Sequence, residues 1–285
     1  MINKKQLLPL HLNCLKCLDM MFPKEFENLI NEAKDNYSGE FIGVGNPASN
    51  ILIIGKEPAI PKEKENQRKL EIESNYKQWK TNIKNGNGFD KVPSMNEKGY
   101  EYNPLYPYRG QKFLVYAENS KTSVRGEGGT SRTWYQYQKL WDFIRFNKEN
   151  RHPETIDYHE HCFSTELSTT SEKYSSLVNP ESRLNSIANR KGLLSHTFYQ
   201  RFPIVILAVG HYPKKHSIDI EKLFQTRWNQ QTYVVGKNWY NIHYSATDTP
   251  KILVHTNQLS MVSDELLKEI ANRCIGFKDE YSIEL

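Results

Sequence analysis

The chain has 285 residues, of which 38% are hydrophobic and 25% charged, and a formal net charge of +5. That length suits one large α/β domain or two small ones, and no apolar run approaches the length of a membrane span. The mild basic excess permits a nucleic-acid partner without requiring one, and the four cysteines suit a reducing cytoplasm.

The N-terminal segment, residues 1–44, reads as a helical extension. Cys14-Leu15-Lys16-Cys17 is a lone C-x-x-C; Cys162 and Cys274 stand too far apart in sequence to complete a metal site, so no metal or cofactor is expected. Pro23 stands at a plausible first turn, and Phe26, Leu29, Ile30 and Ala33 form an apolar stripe at helical spacing. Ile51-Leu52-Ile53-Ile54 reads as a strand buried on both faces. It closes on Gly55-Lys56-Glu57-Pro58-Ala59, which is either an ordinary surface turn or a charged pair at the carboxyl end of a core strand, where open α/β sheets place their ligands.

Residues 61–102 are charged and asparagine-rich and read as an insertion after this strand. They form either a cover over a site or a solvated excursion, with a short helix around residues 71–83 carrying Tyr76 and Trp79. A proline- and aromatic-rich loop follows at residues 103–113. The glycine-rich stretch from Gly126 to Thr133 runs into a helix whose Trp134, Tyr137, Leu140, Trp141 and Ile144 share one face. That start can hold a phosphate or be a plain Ser/Thr cap.

Further strands are predicted at residues 162–168, 204–210 and 252–254, and a hairpin at residues 232–243 with a Gly-Lys-Asn turn. Helices are predicted over residues 180–201, with Leu184, Ile187, Ala188, Leu193 and Leu194 apolar, over 218–228, and from Ser263 with Leu266, Leu267 and Ile270 inward. Four aliphatic strands separated by helices predict a single α/β domain over residues 1–285. Its architecture is a three-layer α/β/α sandwich with a central, mainly parallel four-stranded sheet and a site along one sheet edge.

Two of these strand ends carry a resemblance. Gly55-Lys56-Glu57-Pro58-Ala59 and His255-Thr256-Asn257-Gln258-Leu259-Ser260 resemble the two signature motifs of the uracil-DNA glycosylase superfamily. There the first motif runs Gly-Gln-Asp-Pro-Tyr or Gly-x-Asn-Pro-Gly and the second His-Pro-Ser-Pro-Leu-Ser. The resemblance covers roughly residues 45–275. It implies a DNA N-glycosylase that swings a nucleotide out of the duplex and breaks its N-glycosidic bond. By that likeness Glu57 takes the place of the water-orienting Asp or Asn, and His255 that of the histidine that donates to the departing base. Leu259 takes the place of the wedge that fills the vacated stack, and Ser260 that of a phosphate contact. Lys56, Ser131 and Arg132 are further phosphate-side candidates, and Phe113 or Tyr108 supplies the ring that stacks on the base.

The departures from the family pattern bear on the substrate. Ala59 stands where uracil enzymes carry a tyrosine that walls off a 5-methyl group, so a substituent at C5 could fit. Where the family reads uracil with asparagine, this chain has Glu166 or, with a two-residue shift, Ser164. An ionised carboxylate only accepts hydrogen bonds, so it suits the N4 amine of cytosine and repels O4 of uracil. The expected substrate is a 5-substituted cytosine, hydroxymethylated or glucosylated, as in modified phage DNA, which would make the protein a cytoplasmic, monomeric defence enzyme. A uracil-DNA glycosylase of base excision repair and a non-catalytic DNA-binding relative are the alternatives.

Overall fold

The computed structural model describes residues 22–36, 40–118, 121–126, 132–147 and 153–285. Cys14, Cys17, most of the N-terminal extension, Ser131 and residues 127–130 of the glycine-rich stretch lie outside the described residues.

In chain order the elements are α1 (Lys24–Asn36), β1 (Val44–Gly45), β2 (Ile51–Gly55), α2 (Glu65–Arg68), a π-helical turn (Lys69–Glu73) and α3 (Asn75–Asn85). There follow β3 (Phe113–Glu118), β4 (Lys121–Gly126), α4 (Arg132–Phe146), β5 (Phe163–Glu166), α5 (Pro180–Leu194), α6 (Thr197–Gln200) and β6 (Ile204–Leu207). The chain ends with α7 (Tyr212–Lys215), α8 (Ile220–Phe224), β7 (Thr226–Val235), β8 (Asn238–Ser245), β9 (Ile252–Thr256) and α9 (Asp264–Tyr281).

The expectation of four strands needs correction. One seven-stranded sheet runs in the order β1-β5-β2-β6-β9-β8-β7. Its centre, β5-β2-β6-β9, is parallel and consists of the four strands read from the sequence. Antiparallel strands flank it, β1 on one side and the β7–β8 hairpin on the other. The hairpin is longer than residues 232–243 because Gln225, in the left-handed conformation (φ 54°), ends α8 and lets β7 begin at Thr226. The predicted helix over 218–228 is therefore only its first half. A two-stranded β3–β4 pair adds to the predicted elements, in a stretch between residues 113 and 126 for which no element was predicted.

Alternation along the parallel strands builds two cores. Leu52, Ile54, Val205, Leu207 and Leu253 face one side, where they meet α1, α3, α5, α6 and α8. Ile51, Ile53, Ile204, Ile206, Ile252 and Val254 face the other, where they meet α4 and α9. Strands that are apolar on both faces need helices on both, and the result is three layers. The stripe Phe26, Leu29, Ile30, Ala33 is buried as read, and so are Leu266, Leu267 and Ile270 of α9. Helix α9 begins at a Ser263 cap that accepts from the Leu266 amide.

Helix α5 departs from its apolar pattern. Leu184 is exposed, while Arg183 and Arg190 lie on the inward face with Ile187, Leu193 and Leu194. The predicted helix over 180–201 also breaks after Leu194. Ser195 caps its end, and the His196 side chain accepts from the Phe198 amide to start α6.

The insertion is tied to the body. Asn75 Oδ1 accepts from the Ile42 amide at 2.9 Å, and Trp79 Nε1, fully buried, donates to the Gly43 carbonyl at 2.8 Å. Within residues 61–102 the start of α3 is therefore packed against the body, while most of the surrounding residues are exposed or half-buried.

Candidate active site

The carboxyl ends of β2 and β5 open into a cavity of about 90 Å³. Lys56, Glu57, Pro58 and Ala59 line it from the end of β2, and Ser164, Thr165 and Glu166 from β5. The insertion contributes Gln67, Glu71, Ile72 and Tyr102; Tyr108, Thr133, Trp134, Tyr137 and Gln258 complete the polar and aromatic lining. Phe41, Val44, Ile60 and Ile72, a small apolar cluster of their own, form one wall.

Parallel pairing sets the innermost geometry. Gly55 lies beside Glu166 in the register, and a Cβ on Gly55 would stand 2.2 Å from Glu166 Oε2. The glycine at this strand end therefore makes space for the carboxyl of its neighbour. Glu166 Oε2 is buried and has no hydrogen-bond partner. Burial, aided by the charge of Glu57 and opposed by Arg190, pushes the Glu166 carboxyl up to about 8. At neutral pH it is a neutral acid that can donate as well as accept. The premise of an ionised carboxylate is corrected accordingly.

The fully buried guanidinium of Arg190 fastens this strand end. Its Nε donates to the Glu166 carbonyl at 3.0 Å, Nη2 to Thr165 Oγ1 at 2.7 Å, and Nη1 to the Phe41 carbonyl.

Glu57 sits in a network of its own. The Tyr212 hydroxyl lies 2.9 and 2.8 Å from its two oxygens, Ser175 Oγ lies 2.8 Å from that hydroxyl, and Arg183 Nη2 lies 3.5 Å from Oε1. The two charged side chains are 4% and 6% exposed, so this is a buried ion pair with a hydroxyl support. Lys56 Nζ lies 4.9 Å over the Tyr212 ring, and burial lowers its pKa. The sequence reading missed Arg183, Arg190, Ser175 and Tyr212. They lie far from Glu57 and Glu166 in the chain, and the only local signal was two arginines at positions that a helical stripe turns inward.

The second motif is arranged differently from its family reading. His255 does not line the cavity. Its Nε2 lies 2.8 Å from the Gly210 carbonyl, which can only accept, so that nitrogen carries the hydrogen. Burial pulls the ring down to about 4, and it meets Trp239 edge-on at 5.0 Å. His255 is thus a neutral histidine whose donor is already used at the β6–β9 junction. Gln258 is the residue of this motif that reaches the cavity.

The wedge assignment is also corrected. Leu259 is 0% exposed and packs in the core beneath α9, whereas Met261, two residues on, is 75% exposed at the tip of the same turn. Ser260 beside it is half-buried.

Of the two stacking candidates, Tyr108 lines the cavity and Phe113 does not; Phe113 packs edge-on against Tyr135 at 5.1 Å. Ser164 is buried in the cavity floor, Ala59 is exposed at its mouth, and Arg132 is exposed at the first position of α4. Among the described residues no three His, Cys, Asp or Glu are arranged to hold a metal ion, and Cys162 and Cys274 are buried free thiols. No helix among them is long and apolar enough to cross a membrane.

Comparison of the chain with protein-family models, with curated proteins and with solved structures finds no match.

Proposed function

We propose that the protein is a DNA glycosylase that excises a 5-substituted cytosine from a flipped nucleotide, with modified phage DNA as its target. The observation that carries this reading is the Glu166 carboxyl: its Oε2 is buried without a partner, its pKa is pushed up to about 8, and it lines the same cavity as Glu57. Its C=O accepts from N4–H of cytosine while its O–H faces N3. As the N1–C1′ bond breaks, the bonding pair moves into the ring and the Glu166 proton passes to N3, so cytosine leaves as a neutral base. Water adds to C1′, and Glu57 takes its proton and faces the positive charge that develops on the sugar. Cytosine is a poorer leaving group than uracil, so an acid held protonated at this position does what the substrate requires. Ala59, with its short side chain at the cavity mouth, leaves room beside C5.

The neutral acid also supports a second reading. Its O–H can donate to O4 of uracil while its C=O accepts from N3–H, so uracil is complementary to it as well.

The test is base release, read by mass spectrometry. The DNAs would carry uracil, a thymine mispair, cytosine, 5-hydroxymethylcytosine or its glucosylated form, each treated with wild type and Glu57→Ala. Release of a modified cytosine by wild type alone supports the proposal. Release of uracil alone moves the assignment to the second reading. DNA binding with no release from any substrate removes catalysis from the account.

A further inference from the structure

Lys56 stands inside the candidate site, and the proposed base release gives it no task. It follows Gly55 at the end of β2 and lines the cavity beside Glu57. Its side chain runs over Gly210, just past the end of β6. A Cβ on Gly210 would meet Lys56 Cε at 3.6 Å, Lys56 Nζ at 3.8 Å and the Gln258 amide nitrogen at 3.8 Å. The amine is therefore held where the ends of β2 and β6 meet the second motif.

Among the described residues Nζ has no hydrogen bond or ion pair, only the face of the Tyr212 ring at 4.9 Å. Glu57 pairs instead with Arg183 at 3.5 Å and accepts from the Tyr212 hydroxyl. One tyrosine thus carries the Glu57 carboxylate at its hydroxyl and the lysine amine over its ring, so an uncommitted amine and a carboxylate stand side by side at the cavity. Burial lowers the pKa of the amine; Glu57 opposes this, and the cations Arg183 and Lys215 reinforce it. A lysine desolvated near other cations is a usable nucleophile.

We infer that Lys56 is the nucleophile of a second activity, a lyase that cuts the strand on the 3′ side of the abasic sugar. This rests on the reading above that the sugar of the flipped nucleotide sits against Glu57. In its ring-opened form the abasic deoxyribose is an aldehyde at C1′. The Nζ lone pair adds to C1′, and loss of water gives a protonated imine. The imine draws electrons from C2′, so Glu57 takes a C2′ proton and the C–H pair becomes a C2′=C3′ double bond. The C3′–O bond breaks, and its pair leaves on the 3′ phosphate. Water then adds to the imine carbon, freeing the Lys56 amine and leaving an unsaturated aldehyde on the upstream fragment. Water is lost once and gained once, so the sum is an elimination.

A duplex with one abasic site and a 5′ label tests this on the full chain without any need for base release. Sodium borohydride reduces an imine to a stable amine and so joins the DNA to the residue that attacked. Wild type is expected to give a covalent adduct on a denaturing gel, mapped to Lys56 by mass spectrometry, and to cut the strand when borohydride is left out. Lys56→Arg keeps the charge and a phosphate contact but forms no such imine, and it is expected to lose both products. No adduct and no cutting by wild type overturns the inference, and so does an adduct on a different amine; neither result depends on whether a variant folds. An undiminished adduct yield in Lys56→Arg also overturns it. Base release without an adduct would keep the glycosylase reading and lose this one. An adduct on Lys56 without release of any base would do the reverse.

Discussion

Replacing Glu166 by glutamine keeps the shape of the cavity floor and removes the one group whose protonation the proposed chemistry needs. The consequence for stability can be worked through. The native carboxyl holds its proton up to about 8, while an unfolded glutamate releases it near 4.5. Between those values the native state binds more protons than the unfolded chain, so stability is fully present at the acid end and is lost as pH rises. The slope is about 1.4 kcal/mol per pH unit, so the loss from pH 5 to pH 8 is about 4 kcal/mol from this group. For a chain of this size that is roughly 7 °C in melting temperature. Thermal or denaturant melts of wild type and Glu166→Gln at pH 5, 6, 7 and 8 measure it. The two curves should diverge steadily, with the glutamine variant gaining on wild type as pH rises. Parallel curves would mean that Glu166 is hydrated and ionised at neutral pH, and the argument for a neutral proton donor would fail with them.

Five further outcomes are expected. In the release assay, kcat/KM for the modified cytosine should fall as pH rises through about 8, and this limb should disappear in whatever residual activity Glu166→Gln retains. Gly55→Ala places a Cβ 2.2 Å from Glu166 Oε2, so it should cost about 1–3 kcal/mol in a denaturant titration and abolish release by displacing the carboxyl. Arg183→Met leaves the Glu57 carboxylate buried with the Tyr212 hydroxyl alone, a loss of about 3–5 kcal/mol by the same titration. Leu259→Ala should lower stability by about 2–5 kcal/mol as a core truncation. Met261→Ala should leave stability unchanged and reduce release from duplex DNA while sparing single strands, as expected of a wedge.

The parallel centre of the sheet was legible because its strands are buried on both faces. Ile51–Ile54 and Ile204–Leu207 are unbroken aliphatic runs, and such runs leave few alternatives. The β7–β8 hairpin was only half legible. The first part of β7, Thr-Arg-Trp-Asn-Gln-Gln, is an edge with little burial, and it reads as helix or loop until Gln225 is seen in the left-handed conformation. On the catalytic side, the ends of β2 and β5 were found because charge at the end of an aliphatic strand is conspicuous. Whether a motif residue faces a cavity or the core is a tertiary matter, so Leu259 and His255 were misplaced by motif likeness alone. The inward arginines of α5 were hidden for a related reason. Arg183 and Arg190 sit where periodicity expects leucine, and their burial makes sense only beside Glu57 and the end of β5.

The π-helical turn at Lys69–Glu73 bears on chain length as well as composition. It accommodates one residue beyond a regular helical turn. The widened turn absorbs that residue, so deleting one residue within it would restore a regular turn and keep the flanking segments near their present phase, whereas deleting one residue within α3 would shift the phase across the deletion by about 100°. Asn75 and Trp79 anchor α3 to residues 42 and 43, so a deletion between them would take one of the two anchors out of register. A scan of one-residue deletions across residues 61–102 should therefore show a sharp boundary: tolerated in the exposed turn at residues 95–99 and at exposed positions of the widened turn, and damaging between Asn75 and Trp79 even where the deleted side chain points into water.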